Sequence, residues 1–186
     1  PVYLEYTFEK EGKYNIYFVA DKPLINIERM FNENKNLEEV YFSFFKGDIL
    51  KDISYLFSSC GSLKKVNFAF FNAKNVEKME GVFNFCEFLE CINITSFKTK
   101  NVTTMKYMVD NCRSLKKLDL SLSSFDTTMA IDMSSMFQSC TKLEEVDLSS
   151  FNSNTIVEGV LRPSIRSEAQ IMRGGRTPLT TLIYYI

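Results

Sequence analysis

The chain of 186 residues contains no histidine and no tryptophan, and it has only seven glycines and four prolines. Without histidine it can build neither a Ser-His-Asp nor a Cys-His nucleophile, and the common metal sites with imidazole ligands are excluded. A glycine-rich phosphate loop is also absent, because Gly174 and Gly175 are the only glycines close to each other. The sequence therefore predicts a protein that is not an enzyme, with no catalytic residue, no metal site and no cofactor.

The balance of charge and the length of the apolar runs limit the partners. The formal net charge is −1, whereas nucleic-acid binding needs a basic face. No apolar run approaches the ~20 residues that cross a bilayer. We therefore expect no nucleic-acid binding and no insertion of this fragment into a membrane. The expected state is a monomer that binds another protein.

What the sequence does contain is a repeat with a step of 26 residues and a single step of 28 residues around positions 121–130. The repeat is visible as columns of like residues. One column holds Leu37, Leu63, Leu89, Leu115 and Leu143, and a second holds Phe45, Phe71, Phe97, Phe125 and Phe151. So many apolar columns in phase indicate stacked copies of one structural unit.

Each copy mixes two periods. The piece Leu63-x-x-Val66-x-Phe68 alternates in the way that a short half-buried strand does. The segment from Val76 to Cys86 repeats its apolar residues at steps of three and four, which is typical of one helix face. Asn75 immediately precedes that segment, and Asn101 and Thr155 hold matching places, where we expect helix caps. The pattern predicts strand, turn, short helix and turn, stacked into a parallel sheet over a continuous core.

The motif Met-x-x-Met-Phe-x-x-Cys-x-x-Leu-x-x-Val-x-Leu-x-x-Phe over residues 133–151 resembles the BspA-like leucine-rich repeats. The resemblance covers roughly Ile27 to Val157. It implies an α/β repeat fold, a short leucine-rich-repeat solenoid of about five strand-turn-helix units. Such repeats occur in surface proteins of bacteria and of some single-celled eukaryotes, where they are linked to adhesion. The resemblance therefore implies a cell-surface or extracellular location and supplies no catalytic residue.

The two ends differ from the repeat. Residues 3–20 alternate aromatic and aliphatic side chains around Gly12, which predicts a β-hairpin. We therefore predict three segments: a β-hairpin N-terminal cap at 1–26, the repeats at 27–158, and an atypical tail at 159–186. No lysine follows Lys142, whereas four of the tail's residues are arginines. This change predicts a tail that is non-native or disordered, in a chain that is a piece of a longer protein.

The outward face of the predicted sheet is the candidate binding surface. Alternate strand positions form a polar column, and two phenylalanines stand where later copies carry Ser96 and Ser150. With a tyrosine of the first copy, these phenylalanines predict either an exposed aromatic patch, which favours partner binding, or packing against the N-terminal hairpin. The candidate partner-binding residues are Tyr41, Phe44, Phe70, Asn67, Asn93, Asp119 and Asp147.

Four of the five cysteines share one repeat position, and we expect them to form a column of buried thiols: Cys60, Cys86, Cys112 and Cys140. Cys91 falls on an outward strand position. Phe85 and Phe88 interrupt a mostly polar turn around Cys86. The function that these features favour is a non-enzymatic protein-binding or adhesion module of a cell-surface protein. The alternative is an intracellular, cytoplasmic scaffold or spacer without a dedicated ligand.

Overall fold

The structure is a computed structural model, and it describes residue 14 and residues 23–42, 45–72, 74–120, 125–148, 151 and 170–172. Its repeats lie on one another as parallel rungs. The strands are β1 (Glu39–Tyr41), β2 (Phe45–Lys46), β3 (Lys65–Asn67), β4 (Phe71–Asn72), β5 (Cys91–Asn93), β6 (Lys117–Asp119), β7 (Glu145–Asp147) and β8 (Gln170–Met172). We number the rungs one to five by the strands β1, β3, β5, β6 and β7.

The repeat step appears directly as strand register. Strands β1, β3 and β5 form one parallel sheet in which Val40 pairs with Val66 and Val66 with Ile92, each 26 residues on. Strands β2 and β4 form a second, two-stranded parallel ladder. Strands β6, β7 and β8 form a third sheet, in which Leu118 pairs with Val146 across the 28-residue step. Each strand has only two or three residues, after which the chain turns.

The predicted strand-turn-helix unit is wrong: within the described residues no segment is helical. The segment expected to form a helix is instead a run of tight turns in every rung. In rung one, Met30 N–H donates to Ile27 O at 3.2 Å, while Arg29 N–H donates to Ser54 O of the next rung at 3.0 Å. The same alternation recurs in rungs two to four. Backbone donors are therefore divided between local turns and neighbouring rungs, and none is left for helical bonds.

The backbone angles give the reason for the error. Each turn segment contains two residues with φ between 55° and 61°, for example Arg29 and Glu33 in rung one. An α-helix needs φ near −63° throughout, so these residues interrupt it. Tight turns close every three or four residues, as helical turns do, and they place apolar side chains inward at the same steps. Periodicity alone cannot distinguish the two, whereas the positive φ values arise only when the rungs stack.

Gly81 holds one of these positive-φ positions, with φ at 56°. A Cβ atom at this residue would lie 2.5 Å from Cε1 of Tyr55, so the tyrosine ring rests directly on the glycine backbone. Two further contacts hold the Tyr55 ring in place. Arg29 Cζ lies 4.4 Å from the ring centroid, and the Tyr55 hydroxyl donates to Glu80 Oε1 at 2.5 Å. Burial and the Glu80 hydrogen bond raise the pKa of Tyr55 to about 12.

The core is one continuous column of side chains between the sheet and the turns. Phe57 stacks on Phe31 at 5.4 Å and on Phe83 at 5.8 Å between ring centroids. The leucine column is fully buried from rung two onward, at Leu63, Leu89, Leu115 and Leu143. Full burial of one such side chain stabilises the fold by about 1.5–3 kcal/mol. No rung could bury these side chains alone, so the stack is stabilised mainly by contacts between rungs.

Two further predictions concern the ends and the caps. Asn75 and Asn101 do not cap helices: their Nδ2 atoms donate to Asp48 O and Lys74 O, joining neighbouring rungs at 2.5 and 3.3 Å. Thr155, Gly12 and most of the predicted N-terminal hairpin lie outside the described residues. In the tail, β8 pairs in parallel with β7, with Val146 opposite Ile171. The domain boundaries, including the nature of the rest of the tail, stay predictions.

Candidate functional site

The register of the first sheet brings three of the predicted binding residues together. Tyr41 pairs with Asn67, and Asn67 with Asn93, so they form one column across β1, β3 and β5. Asp119 pairs with Asp147 in the separate sheet of β6 and β7. The predicted column is therefore divided between two sheets, and its tyrosine-asparagine part forms a continuous surface.

The two asparagines end their strands in the same way. Asn67 Oδ1 accepts from Ala69 N–H at 2.9 Å, and Asn93 Oδ1 accepts from Thr95 N–H at 3.1 Å and from the Thr95 hydroxyl at 2.8 Å. Such bonds are typical of Asx turns, which stop a strand by satisfying the backbone two residues on. Because the carbonyl oxygens are used locally, the Nδ2 groups are the donors that these side chains can offer to a partner.

Tyr41 is 54 % exposed, although two neighbours hold its position. Its hydroxyl donates to Glu39 Oε2 at 2.6 Å, and Lys65 Nζ lies 5.5 Å from its ring centroid. Glu39 and Lys65 pair with each other in the sheet, two positions before Tyr41 and Asn67. Lys65 was not among the predicted binding residues. Lys65 lies on the strand next to Tyr41, and this proximity can be derived only once the strand register is known.

Phe70 is 64 % exposed, whereas Phe68 and Phe71 on either side of it are fully buried. It follows Asn67, the residue paired with Tyr41, by three positions. Two large aromatic side chains therefore lie at the same end of the first sheet. Phe44 lies outside the described residues. Tyr41 and Phe70 are thus both exposed in the described residues, while their role in binding a partner stays a prediction.

A second pair of aromatics lies on the turns of rung three. Phe85 and Phe88 are 45 % and 56 % exposed. Phe85 has a φ of 58°, a conformation that is uncommon for a bulky residue. The matching positions in other rungs carry smaller or polar residues such as Ser59 and Asn111. Phe85 and Phe88 depart from the repeat in the sequence, but they were not among the predicted binding residues.

The cysteine column is buried, as the sequence predicts, and its thiols connect the rungs. Each Sγ lies within hydrogen-bonding distance of a carbonyl of the preceding rung; Cys86 and Cys112, for example, donate to Phe57 O at 3.0 Å and Phe83 O at 3.2 Å. Burial raises the pKa of Cys60 to about 11 and that of Cys140 to about 12. It also raises the pKa of Cys86 and Cys112. Buried, protonated thiols are poor nucleophiles and poor metal ligands.

The described part of the chain has few features of a catalytic site. Among those residues, no group of three or more Cys, Asp or Glu side chains could hold a metal ion. One cleft lined by Ile53, Met79 and Phe97 has a volume of about 10 Å³, room for a single water. Within the same residues no helix is long and apolar enough to cross a membrane. The predictions of a monomer, of a protein partner and of no nucleic-acid binding stay predictions.

Comparison with known proteins corrects the family assignment. The sequence profile of the family described as Mycoplasma protein of unknown function, DUF285, matches residues 4–117 and again residues 80–159. No curated protein and no solved structure matches the chain. The resemblance to BspA-like leucine-rich repeats is therefore wrong as an identification. Any stack of rungs of similar length needs apolar residues at similar steps, so that spacing did not distinguish the families.

The two profile matches overlap at residues 80–117 and begin 76 residues apart, which is close to three repeat steps. The family profile thus contains several rungs and fits the array in two positions. The cell-surface or extracellular location followed from the earlier resemblance alone and stays an untested prediction. The chain belongs to the DUF285 family of Mycoplasma proteins of unknown function.

Proposed function

We propose that the chain is a non-enzymatic protein-binding module whose partner contacts the aromatic end of the first sheet. We define the aromatic end as Tyr41 and Phe70. The observation that carries the proposal is their exposure, 54 % and 64 %, on a surface where the other outward side chains are polar or small. Exposed aromatics give partners large contact area at low entropic cost, and they are enriched among the residues that dominate binding.

The polar groups around the aromatic end suggest the chemistry of the partner. Lys65 supplies a cation beside the Tyr41 ring. Asn67 and Asn93 offer Nδ2 donors in register, because their carbonyl oxygens are held in Asx turns. The surface therefore combines an apolar anchor with several donors. We expect a partner segment that carries an apolar side chain followed by acceptors, either backbone carbonyls or carboxylates.

The non-enzymatic part of the proposal is supported by the chemistry of the described residues. The chain has no histidine, and burial keeps the thiols of the cysteine column protonated at neutral pH. Catalytic acids, bases and nucleophiles need pKa values matched to their task. The protonated thiols act as buried packing groups, and binding is the activity for which the exposed surface is suited.

The test compares Phe70→Ser with the matched variant Phe88→Ser. Serine occupies the position of Phe70 in rung three, at Ser96, so the substitution follows the repeat. Phe88 is 56 % exposed but lies on the turns, away from the sheet. With the wild-type chain as bait, captured proteins are quantified by mass spectrometry. We expect Phe70→Ser to reduce capture at least ~10-fold and Phe88→Ser to change it less than ~2-fold.

Two outcomes would contradict the proposal. Equal losses for Phe70→Ser and Phe88→Ser would indicate unspecific adhesion through exposed aromatics. Unchanged capture with Phe70→Ser would favour a scaffold or spacer without a dedicated ligand. Both side chains are largely exposed, so both variants should unfold close to the wild-type midpoint, and thermal denaturation checks this.

A further inference from the structure

A column of alternating charge runs along the stack immediately before the strands. We call it the charge ladder, and its members, one per rung, are Glu38, Lys64, Glu90, Lys116 and Glu144. Backbone bonds align rungs one to three at this column, where Lys64 N–H donates to Glu38 O at 2.8 Å and Glu90 N–H to Lys64 O at 2.9 Å. They also align rungs four and five, where Glu144 N–H donates to Lys116 O at 2.8 Å. Four of the five side chains are exposed, and Glu38 is half-buried. The ladder is therefore a surface feature with one charge on every rung.

The ladder is only partly neutralised within the chain. Lys64 Nζ lies 3.1 Å from Glu38 Oε2. Within the residues that the structure describes, Glu90, Lys116 and Glu144 form no ion pair. Other columns do pair between rungs, as the Lys51–Glu77, Lys74–Asp48 and Lys106–Asp132 pairs illustrate. Three consecutive charges of the ladder are thus exposed to a partner.

The spacing of the ladder selects the kind of partner. Neighbouring strands lie ~4.8 Å apart, so charges of one sign recur every ~9.6 Å along the stack. Side chains on one face of an extended strand recur every ~6.7 Å, and a helix rises ~5.4 Å per turn. An extended strand therefore departs from the rung spacing by ~1.9 Å per charge and a helix by ~0.6 Å per charge, and the mismatch grows along the ladder. Another stack with the same rung spacing and the same alternation fits along its whole length.

We propose that the charge ladder binds the charge ladder of a second copy of this chain. In a two-fold arrangement the two ladders run in opposite directions. With the two-fold axis at rung three, rung two would face the partner's rung four, so Lys64 would meet the partner's Lys116 and like charges would repel. A shift of one rung places Glu90 opposite the partner's Lys116 and Lys64 opposite the partner's Glu144. Two-fold symmetry then repeats each contact, which gives four pairs of opposite sign.

The neighbouring outward position strengthens this match. Lys65 and Lys117 follow the two ladder lysines directly in sequence, and both belong to paired strands. Rungs two and four therefore each present two adjacent cations, while rung three presents Glu90. The ladder adjoins the aromatic end at Lys65 but includes neither Tyr41 nor Phe70, so the proposal goes beyond the proposed function. Charge reversal at Glu90 or Lys116 tests it without changing the aromatic end.

Sedimentation velocity of the reduced chain provides the first test. Exposed ion pairs are individually weak and are screened by salt. We expect a dimer at ~20 mM NaCl that becomes monomeric at ~500 mM NaCl, because the Debye length falls several-fold. A wild-type chain that is monomeric at the lower salt concentration would overturn the proposal. A dimer equally stable at both concentrations would also contradict it, since the contact is electrostatic.

Charge reversal then identifies the surface. Glu90→Lys and Lys116→Glu should each raise the dimer Kd at least ~10-fold, because each places like charges together twice. An equimolar mixture of the two variants should restore the dimer, since every contact in the mixed pair is again of opposite sign. Restoration also shows that both variants fold. Lys98→Glu makes the same charge change away from the ladder and should leave the Kd within ~2-fold of wild type.

Two results of this second experiment would overturn the proposal. In the first, the mixture of Glu90→Lys and Lys116→Glu stays monomeric. In the second, Lys98→Glu weakens the dimer as much as Lys116→Glu, which would indicate a dependence on net charge and not on the ladder.

Discussion

A rise in pH from about 8 to about 10 is expected to destabilise the folded chain through its four buried thiols. Burial raises the pKa of Cys60 from 9.0 to about 11 and that of Cys140 to about 12. The pKa values of Cys86 and Cys112 are raised by the same desolvation. In the unfolded chain these thiols ionise near pH 9, whereas in the folded chain they stay protonated. The favourable contribution is therefore complete below about pH 9 and is lost as the pH rises through the folded values.

The magnitude follows from proton linkage. One pH unit above the unfolded pKa, ionisation stabilises the unfolded state by about 1.4 kcal/mol per thiol. Four thiols together give about 6 kcal/mol at pH 10. A typical domain is stable by only about 5–15 kcal/mol, so this loss is a large part of the total. The thiols act together because the repeat places one at the same buried position in four successive rungs.

The assay is urea unfolding at a series of pH values from about 8 to about 10, with a non-thiol reductant and without oxygen. The variant is Cys86→Ser, whose hydroxyl can still donate to Phe57 O, the present acceptor of the thiol. Its stability at pH 8 is lower than wild type, but its loss between pH 8 and pH 10 should be smaller by about 1.3 kcal/mol. Cys91→Ser is the matched control, since its thiol is exposed in the folded chain.

Either of two results would show that the buried thiols do not cause the loss of stability. The first is an equal pH-dependent loss in wild type and Cys86→Ser. The second is a Cys91→Ser variant that reduces the loss as much as Cys86→Ser does. Tyr55, whose pKa is raised to about 12, also contributes near pH 10, but it is common to all three proteins and cancels in the comparison.

Three further predictions test the stack. Gly81→Ala should lower the free energy of unfolding by about 1–3 kcal/mol, since its Cβ would meet the Tyr55 ring. The control Gly61→Ala, whose Cβ meets nothing within 4 Å, should change it by less than about 0.5 kcal/mol. Equal effects of the two variants would contradict the contact. Leu115→Ala should cost about 2–5 kcal/mol, because Leu115 is fully buried between two rungs; a loss under about 1 kcal/mol would argue against the packed core. Brief alkylation of the folded chain should modify Cys91 first, as the exposed thiol, and mass spectrometry showing equal labelling of the other cysteines would refute their burial.

The sequence alone predicted the step of the stack and most of its interior. Leu63 and Leu89, and likewise Cys60 and Cys86, recur at equal steps in apolar columns, and the structure buries these four side chains. Burial is a local property of residue type and period, so it can be derived without coordinates. The outward exposure of Tyr41 follows from the same period.

The sequence did not determine the backbone between the strands or the family. The residues around Arg29 and Glu33 repeat at helical steps, yet their φ values are positive. In that conformation Arg29 N–H bonds to Ser54 O of the next rung. A bond between residues 25 positions apart has no signature within one repeat, so pattern analysis assigned a helix.

The candidate surfaces show the same division. Tyr41, Asn67 and Phe70 were found as departures from the repeat or as outward positions. Lys65 beside the Tyr41 ring, and the Asx turn that leaves Asn67 with donors alone, depend on strand register and side-chain geometry. Sequence by itself therefore determined which residues are buried or outward, because the period of a rung sets the direction of each side chain. Tertiary structure alone decided which outward groups meet, since that depends on how one rung lies on the next.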